Sequence, residues 1–387
     1  MLDLAIVGGG PAGLFAAARC AEAGLDVVLL EEHPRIGEPT HCTGIISLET
    51  ADLTKVPDEI VLNRLTRARV TSPGGARWHA VWEAADREQL VAIDRGAFDR
   101  SLAEQARAAG AVVRTGARVD GIASGPRGVD LSAGEEVVRT RACVLACGVS
   151  YRLQRQLGLG LPGHVVHSAQ LEVDARPSGD VEIYLGREVA PEGFAWMVPV
   201  RRDGRHRMKV GVMARGDASA YLQRFLARPE NRARLAAEPG PPVRRLLPLR
   251  PITRTYAERL LVVGDAGGFT KPTTGGGIFY GLLTASLAAE TLIEGFQAGR
   301  LDGEFLARYE RRWRERLQQE LRVAGWLRRL LTKSTDAELD LLVRAVAREE
   351  VEAIIRRAAR FNWHRDVILA LMRQPRIAAV LLRSLFR

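Results

Sequence analysis

The stretch Leu4-Ala-Ile-Val-Gly8-Gly-Gly-Pro-Ala-Gly13 decides the fold. Its apolar start predicts a buried strand, and the small-residue run Leu14-Phe-Ala-Ala-Ala-Arg-Cys-Ala-Glu-Ala23 predicts a helix ending at Gly24. Asp26–Leu30 predicts a second strand, closing on Glu31-Glu32. Strand, glycine turn, helix and strand make one βαβ unit. Gly8 permits the tight turn, Gly10 lets the backbone approach a pyrophosphate, and Gly13 allows close packing of helix on strand. The helix start, Ala12 included, faces the phosphates. Glu31 stands where a carboxylate accepts a hydrogen bond from a ribose hydroxyl.

A second GxGxxG, at Gly158, Gly160 and Gly163, follows the helix-like stretch Arg152–Leu157 and opens no small-residue helix. It is read as a chance match, so no separate nicotinamide-nucleotide domain is expected. Further on, Leu260-Leu-Val-Val-Gly-Asp265 leads through Pro272-Thr-Thr-Gly-Gly-Gly277 into another helical run. A strand delivers a carboxylate there, and a glycine-rich turn opens a helix. Asp265 suits a ribityl hydroxyl. The helix start after Pro272, Gly275, Gly276 and Gly277 suits negative charge on the N1/O2 side of a reduced isoalloxazine. The expected cofactor is FAD.

The chain has 387 residues, 47% hydrophobic and 26% charged, the balance of a soluble globular protein of two or three structural units. Its four cysteines, Cys20, Cys42, Cys143 and Cys147, lack the number and spacing of a disulfide framework or a zinc site. A reducing compartment and no metal are expected. The first strand leaves no room for a signal peptide, and no apolar run nears the ~20 residues that span a bilayer. These features predict a cytoplasmic protein. The net charge of +10 raises nucleic acid or an anionic membrane as partners. Residues 301–387 hold 19 basic and 12 acidic side chains, so most of the excess lies there. No helix-turn-helix, zinc-finger or RNA-recognition pattern accompanies it, and no nucleic-acid partner is expected.

Along the chain the pattern predicts an α/β protein. It comprises a Rossmann-like FAD-binding domain (residues 1–60, 90–150 and 252–300), an inserted β-sheet substrate domain (61–89 and 151–251) and a C-terminal helical segment (301–387). Strand alternation runs through 60–93, with Trp78 and Trp82, and returns at His167–Val173, Val181–Leu185, Ala195–Val200 and Met208–Met213. Residues 228–251, rich in Pro and Arg, read as a connector. Beyond Pro375, Arg376, Arg383 and Arg387 form one stripe on an otherwise apolar helix. Such a helix suits an anionic membrane surface, which predicts peripheral attachment to the inner face of the cytoplasmic membrane.

Three stretches carry a family resemblance. Pro39-Thr-His-Cys42-Thr-Gly44 is similar to a PxxCxG loop. Phe194-Ala-Trp196-Met-Val-Pro199, followed by Val210-Gly211, is similar to a (Y/F)xWxxP motif. Gly264-Asp265 with Pro272–Ile278 completes the set. Together they make residues 1–300 resemble the geranylgeranyl reductase family, in the para-hydroxybenzoate hydroxylase fold group. The resemblance implies FAD, a substrate pocket under a β-sheet, and reduction of isolated C=C bonds in isoprenoid chains. It implies that Arg95, opening a helix in Ile93-Asp-Arg-Gly-Ala-Phe-Asp99, reaches the cofactor, and that the loop of Cys42 and Gly44 approaches the flavin. Two departures stand out. Val200 replaces the Lys that usually follows the aromatic motif, and Cys147-Gly148 replaces the Asp-Gly of the hydroxylases.

An isolated alkene has no carbonyl to take up charge. Its reduction needs a hydride from flavin N5 and a proton for the neighbouring carbon. Cys42 is the first candidate proton donor or pocket residue, ahead of His41 and Tyr280. Phe194 and Trp196 alternate on a strand, so they share a face that suits a polyprenyl tail. Lys271 reads as a solvated loop residue. The identity of the lipid stays open, as does the source of electrons, NAD(P)H or a small redox protein. The alternative activity is flavin-dependent monooxygenation or halogenation. Halogenases carry WxWxIP, of which only Trp196 is present here, with Phe194 in place of the first Trp.

Overall fold

The computed structural model describes residues 1–81 and 90–383; Trp82 and Arg387 lie outside them. The chain divides into two compact units. The first comprises Met1–Thr40, Arg95–Val165 and Leu247–Leu321, and the second His41–Asp94, Val166–Leu246 and Arg322–Arg387.

The first unit is built on an eight-stranded sheet. Leu260–Val262, Glu136–Leu145, Leu2–Val7, Val27–Leu30 and Val112–Arg114 run parallel in that order. Register pairs Val7 with Leu30 on one side and Leu145 on the other. Leu2–Val7, Val27–Leu30, Leu260–Val262 and the Ala142–Leu145 end of the long strand are almost wholly apolar, because a parallel sheet is covered on both faces there. Ala5, Val7, Val28, Leu30 and Cys143 share a core with Leu153 and Ile252. The alternate residues Leu4, Ile6, Leu29 and Val144 are equally sealed. Helix Pro11–Glu22 packs against both Arg95–Ala108 and Ile278–Gln297.

The long helix Gly303–Lys333 enters this unit with its first turns. Tyr309 donates to the Val262 carbonyl at 2.8 Å, Trp313 Nε1 donates to Thr255 Oγ1 at 2.9 Å, and the Trp313 ring meets Phe269 edge-on at 5.0 Å. Residues 301–321 therefore complete the first unit rather than opening a separate segment at 301. The buried face of the helix, Leu306, Tyr309, Trp313 and Leu317, meets strand Leu260–Val262 through the Tyr309 bond. Residues 41–60, expected with the FAD-binding domain, group with the second unit.

The second unit holds a seven-stranded sheet in the order Val243–Pro248, Val165–Asp174, Arg205–Ala214, Phe194–Arg202, Val181–Tyr184, Arg67–Thr71 and Arg77–Val81. The strand Val243–Pro248 lies in the stretch read as a connector. It is an edge strand, where Pro and Arg are tolerated and apolar alternation is weak. One sheet face packs Ala195, Met197, Val210 and Val212 under Leu222 and Phe225 of helix Ala218–Ala227, which Asp217 caps. On the other, Val198 and Val200 pack with Leu65, Leu90 and Ala92 of a three-stranded sheet formed by Ile45–Ser47, Leu90–Ile93 and Val61–Leu65.

The C-terminal helices cluster around Leu330, Leu342, Ala345 and Val351. The last, Pro375–Arg383, buries Ile377, Val380 and Leu381 in that cluster and exposes Arg376 and Arg383. No helix among the described residues is long and apolar enough to cross a membrane.

Candidate functional site

The first unit gathers the glycine turns. Gly8 has a positive φ of 112°, and a Cβ there would lie 2.4 Å from the Ala146 carbonyl oxygen. A Cβ on Gly13 would lie 2.1 Å from the Gly8 carbonyl oxygen. At Gly10, which caps helix Pro11–Glu22, a Cβ would meet nothing within 4 Å. Gly8 and Gly13 thus serve strand–helix packing, and Gly10 keeps the backbone open on the outer side. That is the cradle a pyrophosphate needs. Ala12 turns away from it, its Cβ lying 3.1 Å from where a Gly264 side chain would begin.

Glu31 stands beside this turn. One carboxylate oxygen accepts the Gly9 N–H at 2.6 Å, and the other accepts the His33 N–H at 2.9 Å. The His33 ring nitrogen Nδ1 also meets that second oxygen at 2.5 Å, so the carboxylate is fixed at the turn and the Gly9-bound oxygen keeps one lone pair for a ribose hydroxyl. Arg95 opens its helix as expected, and Asp99 grips its guanidinium in two bonds of 2.8 Å. Burial pushes the Asp99 carboxyl up against the pull of Arg95, and the charge of Glu31 acts on it in the same direction as burial. Arg95 and Asp99 therefore form one buried ion pair at the start of this helix.

Asp265 follows strand Leu260–Val262 in the turn Gly264–Gly267. One of its oxygens lies 2.6 Å from where a Gly277 Cβ would stand, so only glycine fits against it. The loop closes on itself: the Lys271 N–H donates to the Gly276 carbonyl at 3.0 Å, and the Gly275 N–H to the Lys271 carbonyl at 2.8 Å. Pro272 is buried inside it, and Gly277 caps the 20-residue helix Ile278–Gln297, whose N-terminus carries partial positive charge. Tyr280 is 1% exposed on the inner side of this helix, and burial, with Glu320 nearby, raises its phenol far above the ordinary range. Lys271, read as solvated, is 3% exposed; the closed loop folds its side chain over Gly276.

The second unit holds the other candidates. Phe194 and Trp196 are half-buried neighbours with ring centroids 5.7 Å apart. The indole lies flat over Gly211, where a Cβ would fall 2.2 Å from the ring. Trp196 pairs across the sheet with Gly211, and Gly211 with Gln170, so the three form one cross-strand row on one face. Thr43 Oγ1 donates to Gln170 Oε1 at 3.0 Å, which ties the Cys42 loop to that row. Cys42 Sγ accepts the Gly44 N–H at 3.3 Å. Gly44 has φ 74°, and a Cβ there would lie 2.6 Å from the Ile93 carbonyl oxygen, a backbone reason for glycine. His41 is half-buried in the same loop.

Lys209 was not singled out from the sequence. It stands in the next row of the same face, between Glu172 and Val198, and its ammonium donates to the carbonyls of Thr43 at 2.8 Å and Ile93 at 2.9 Å. Its signal in the sequence is a lone charge inside Met208-Lys-Val-Gly-Val-Met213. Cys20 and Cys143 are core residues as read, fully buried, with burial pushing the Cys20 thiol up to about 12.

Residues 1–324 match the family model described as FAD binding domain. Digeranylgeranylglycerophospholipid reductase 2 of Methanothermobacter thermautotrophicus is 34% identical over 376 residues, covering 91% of this chain and 93% of that protein. The digeranylgeranylglycerophospholipid reductase of Methanoculleus marisnigri is 32% identical over 90% of this chain and 91% of its own. Among solved structures, a geranylgeranyl bacteriochlorophyll reductase-like protein of Thermoplasma acidophilum superposes with TM-score 0.86 at 23% identity, covering 99% of both chains. A flavin-dependent brominase superposes with TM-score 0.71 at 17% identity, over 100% of this chain and 98% of its own, a likeness of fold alone. The glycine cradle, the carboxylates at both strand ends and the match over nine-tenths of the chain lead to one conclusion: this chain belongs to the geranylgeranyl reductase family and is an FAD-dependent oxidoreductase.

Proposed function

We propose that the enzyme saturates C=C bonds in the isoprenoid chains of a lipid of the kind its relatives are named for, a digeranylgeranylglycerophospholipid. The observation that carries this reading is the face of the second unit's sheet, with half-buried Phe194 and Trp196 and the Cys42 loop tied to the Trp196 row through Thr43 and Gln170. An aromatic floor beside a single thiol suits a chain that offers no polar handle.

Gly8, Gly10, Gly13, Glu31, Arg95, Asp265 and the turn Gly275–Gly277 would hold FAD, which when bound and reduced would supply a hydride. The protein's own part is to seat the tail, exclude water and deliver the proton. Cys42 is assigned the proton, with His41 second. Tyr280 ranks last, because its phenol is sealed in the core of the first unit.

The test is anaerobic. Reduced holoenzyme is mixed with digeranylgeranylglycerophospholipid, and the product is weighed by mass spectrometry. A gain of two hydrogens per bond, with the flavin reoxidised in step, is expected. Unchanged lipid would reject the reading, and a product formed only with oxygen would favour a monooxygenase or halogenase.

The reading includes a place of work, the cytoplasmic face of an anionic membrane. Ile377, Val380 and Leu381 of helix Pro375–Arg383 are already buried in the protein, so attachment rests on exposed Arg376 and Arg383, with exposed Leu382 beside them. Deleting the residues after Pro375 should release the enzyme from anionic liposomes while FAD stays bound; binding that persists after deletion counts against it.

A further inference from the structure

We infer that Lys209 is a positioning residue for proton delivery: it clamps the Cys42–Gly44 turn and stabilises the thiolate left when Cys42 gives up its proton. The inference rests on the reductase reading above.

A buried ammonium is costly unless its donors are used. Lys209 is 6% exposed. Two of its three N–H groups go to the carbonyls of Thr43 and Ile93, and the third has no hydrogen-bond acceptor among the described residues. Those carbonyls belong to two separate pieces of chain. Thr43 lies between Cys42 and Gly44, and Ile93 ends a strand that the turn already meets, since the Ile93 N–H donates to the Gly44 carbonyl at 2.8 Å. The ammonium thus closes a backbone clamp around the turn that carries the thiol.

Its charge matters as well as its bonds. The carboxylates of Glu172 and Asp94, the Cys42 thiol and the Arg202 guanidinium all face Lys209. Glu172 bonds Arg202 at 3.0 Å and Arg207 at 3.0 Å, and Arg202 also bonds Asp94. With both carboxylates committed to arginines, Cys42 is the neighbour whose charge state can still change. Burial lowers the Lys209 pKa, while Glu172, Cys42 and Asp94 pull the other way.

In the reaction the Cys42 S–H bond breaks and its proton forms a C–H bond on the alkene carbon next to the one that receives the hydride. The thiolate keeps the electron pair of the broken bond, and a proton from solvent restores the thiol. A positive charge held in place favours the thiolate at that moment and needs no reorganisation. The unrelaxed clamp also keeps Sγ where its proton is used.

The test reads the thiol directly, without lipid. Holoenzyme is alkylated with iodoacetamide across a pH series, and modification at Cys42 and Cys147 is quantified by peptide mass spectrometry. In Lys209→Met the alkylation profile of Cys42 should move to higher pH, with alkylation at neutral pH about tenfold slower once the neighbouring opposite charge is gone, while Cys147 keeps its profile. Lys209→Gln keeps donors for the carbonyls and drops the charge, so it should show the same shift even if Lys209→Met fails to fold. Lys209→Arg should restore the wild-type profile. In anaerobic single turnover the Met and Gln variants should lose about 100-fold in the reduction step, the scale of a general-acid contribution, with KM nearly unchanged. An unmoved Cys42 profile in the Gln variant overturns the inference whatever the lipid assay shows. A wild-type enzyme that leaves the lipid unchanged defeats the reductase reading instead.

Discussion

At the residue scale, three glycines of one motif do different work. In the sequence, GxGxxG gives Gly8 the tight turn, Gly10 the approach to a pyrophosphate and Gly13 the packing of helix on strand. The structure separates them, because a Cβ on Gly13 would meet the Gly8 carbonyl oxygen at 2.1 Å and a Cβ on Gly10 would meet no atom within 4 Å. Gly13→Ala should therefore damage the fold, by about 1–3 kcal/mol for an overpacked contact, and yield protein without yellow colour. Gly10→Ala should leave thermal unfolding within about 0.5 kcal/mol of wild type, as a change in open space does, yet weaken FAD binding, since its methyl occupies the approach to the phosphates. Purified flavin content and thermal melts of the two variants check both outcomes; equal loss of stability would show that Gly10 is structural too. Lys209 was not legible because a single lysine has no motif. Its meaning comes from two carbonyls, Thr43 and Ile93, far apart in sequence.

At the scale of elements, legibility followed burial. Strands Leu2–Val7, Val27–Leu30 and Leu260–Val262 could be read because a covered parallel sheet demands unbroken apolar runs. The edge strand Val243–Pro248 could not, since an edge makes no such demand. Strand Val181–Tyr184 adds a feature its alternation hid, the buried carboxylate of Glu182. Arg234 binds it at 2.8 and 2.5 Å, Arg69 at 2.8 Å, and Tyr184 donates to it. Burial pushes this carboxyl up, but the bonds from Arg234, Tyr184 and Arg69 outweigh burial and hold it below the ordinary range. A carboxyl whose folded pKa is depressed contributes stability that is present above its unfolded pKa, near ~4.3, and is lost as pH falls through the folded value. Glu182→Gln should thus lower stability at pH 7 and flatten the acid limb of the stability curve below about pH 4.3. Urea titrations of both proteins from pH 7 to pH 3 measure this; parallel curves would show that the pair contributes nothing. In the last helix, Ile377→Ala should cost about 2–4 kcal/mol, because Ile377 is 3% exposed in the cluster around Leu330 and Leu342.

At the scale of the whole molecule, helix Gly303–Lys333 carries a consequence that no motif reveals. Its first turns bond the first unit through Tyr309 and Trp313, and its last turns belong to the second, where Arg328 donates to the Glu192 carbonyl at 2.6 Å. The residues assigned to FAD, Gly44 apart, lie in the first unit. A ligand that binds the folded form stabilises it by about 2.7 kcal/mol at one hundred times its Kd. An unbroken helix running from one unit into the other links their unfolding, because melting either end frays the other's anchor. Excess FAD should therefore raise a single calorimetric transition that reports both units. Arg322 is exposed and stands where the helix passes from the first unit to the second. Arg322→Pro breaks the helix there at a cost of about 3 kcal/mol without removing a buried side chain. Its melt should split in two, and only the first unit's transition should respond to FAD. A single FAD-responsive transition in that variant would mean that something other than the helix couples the units.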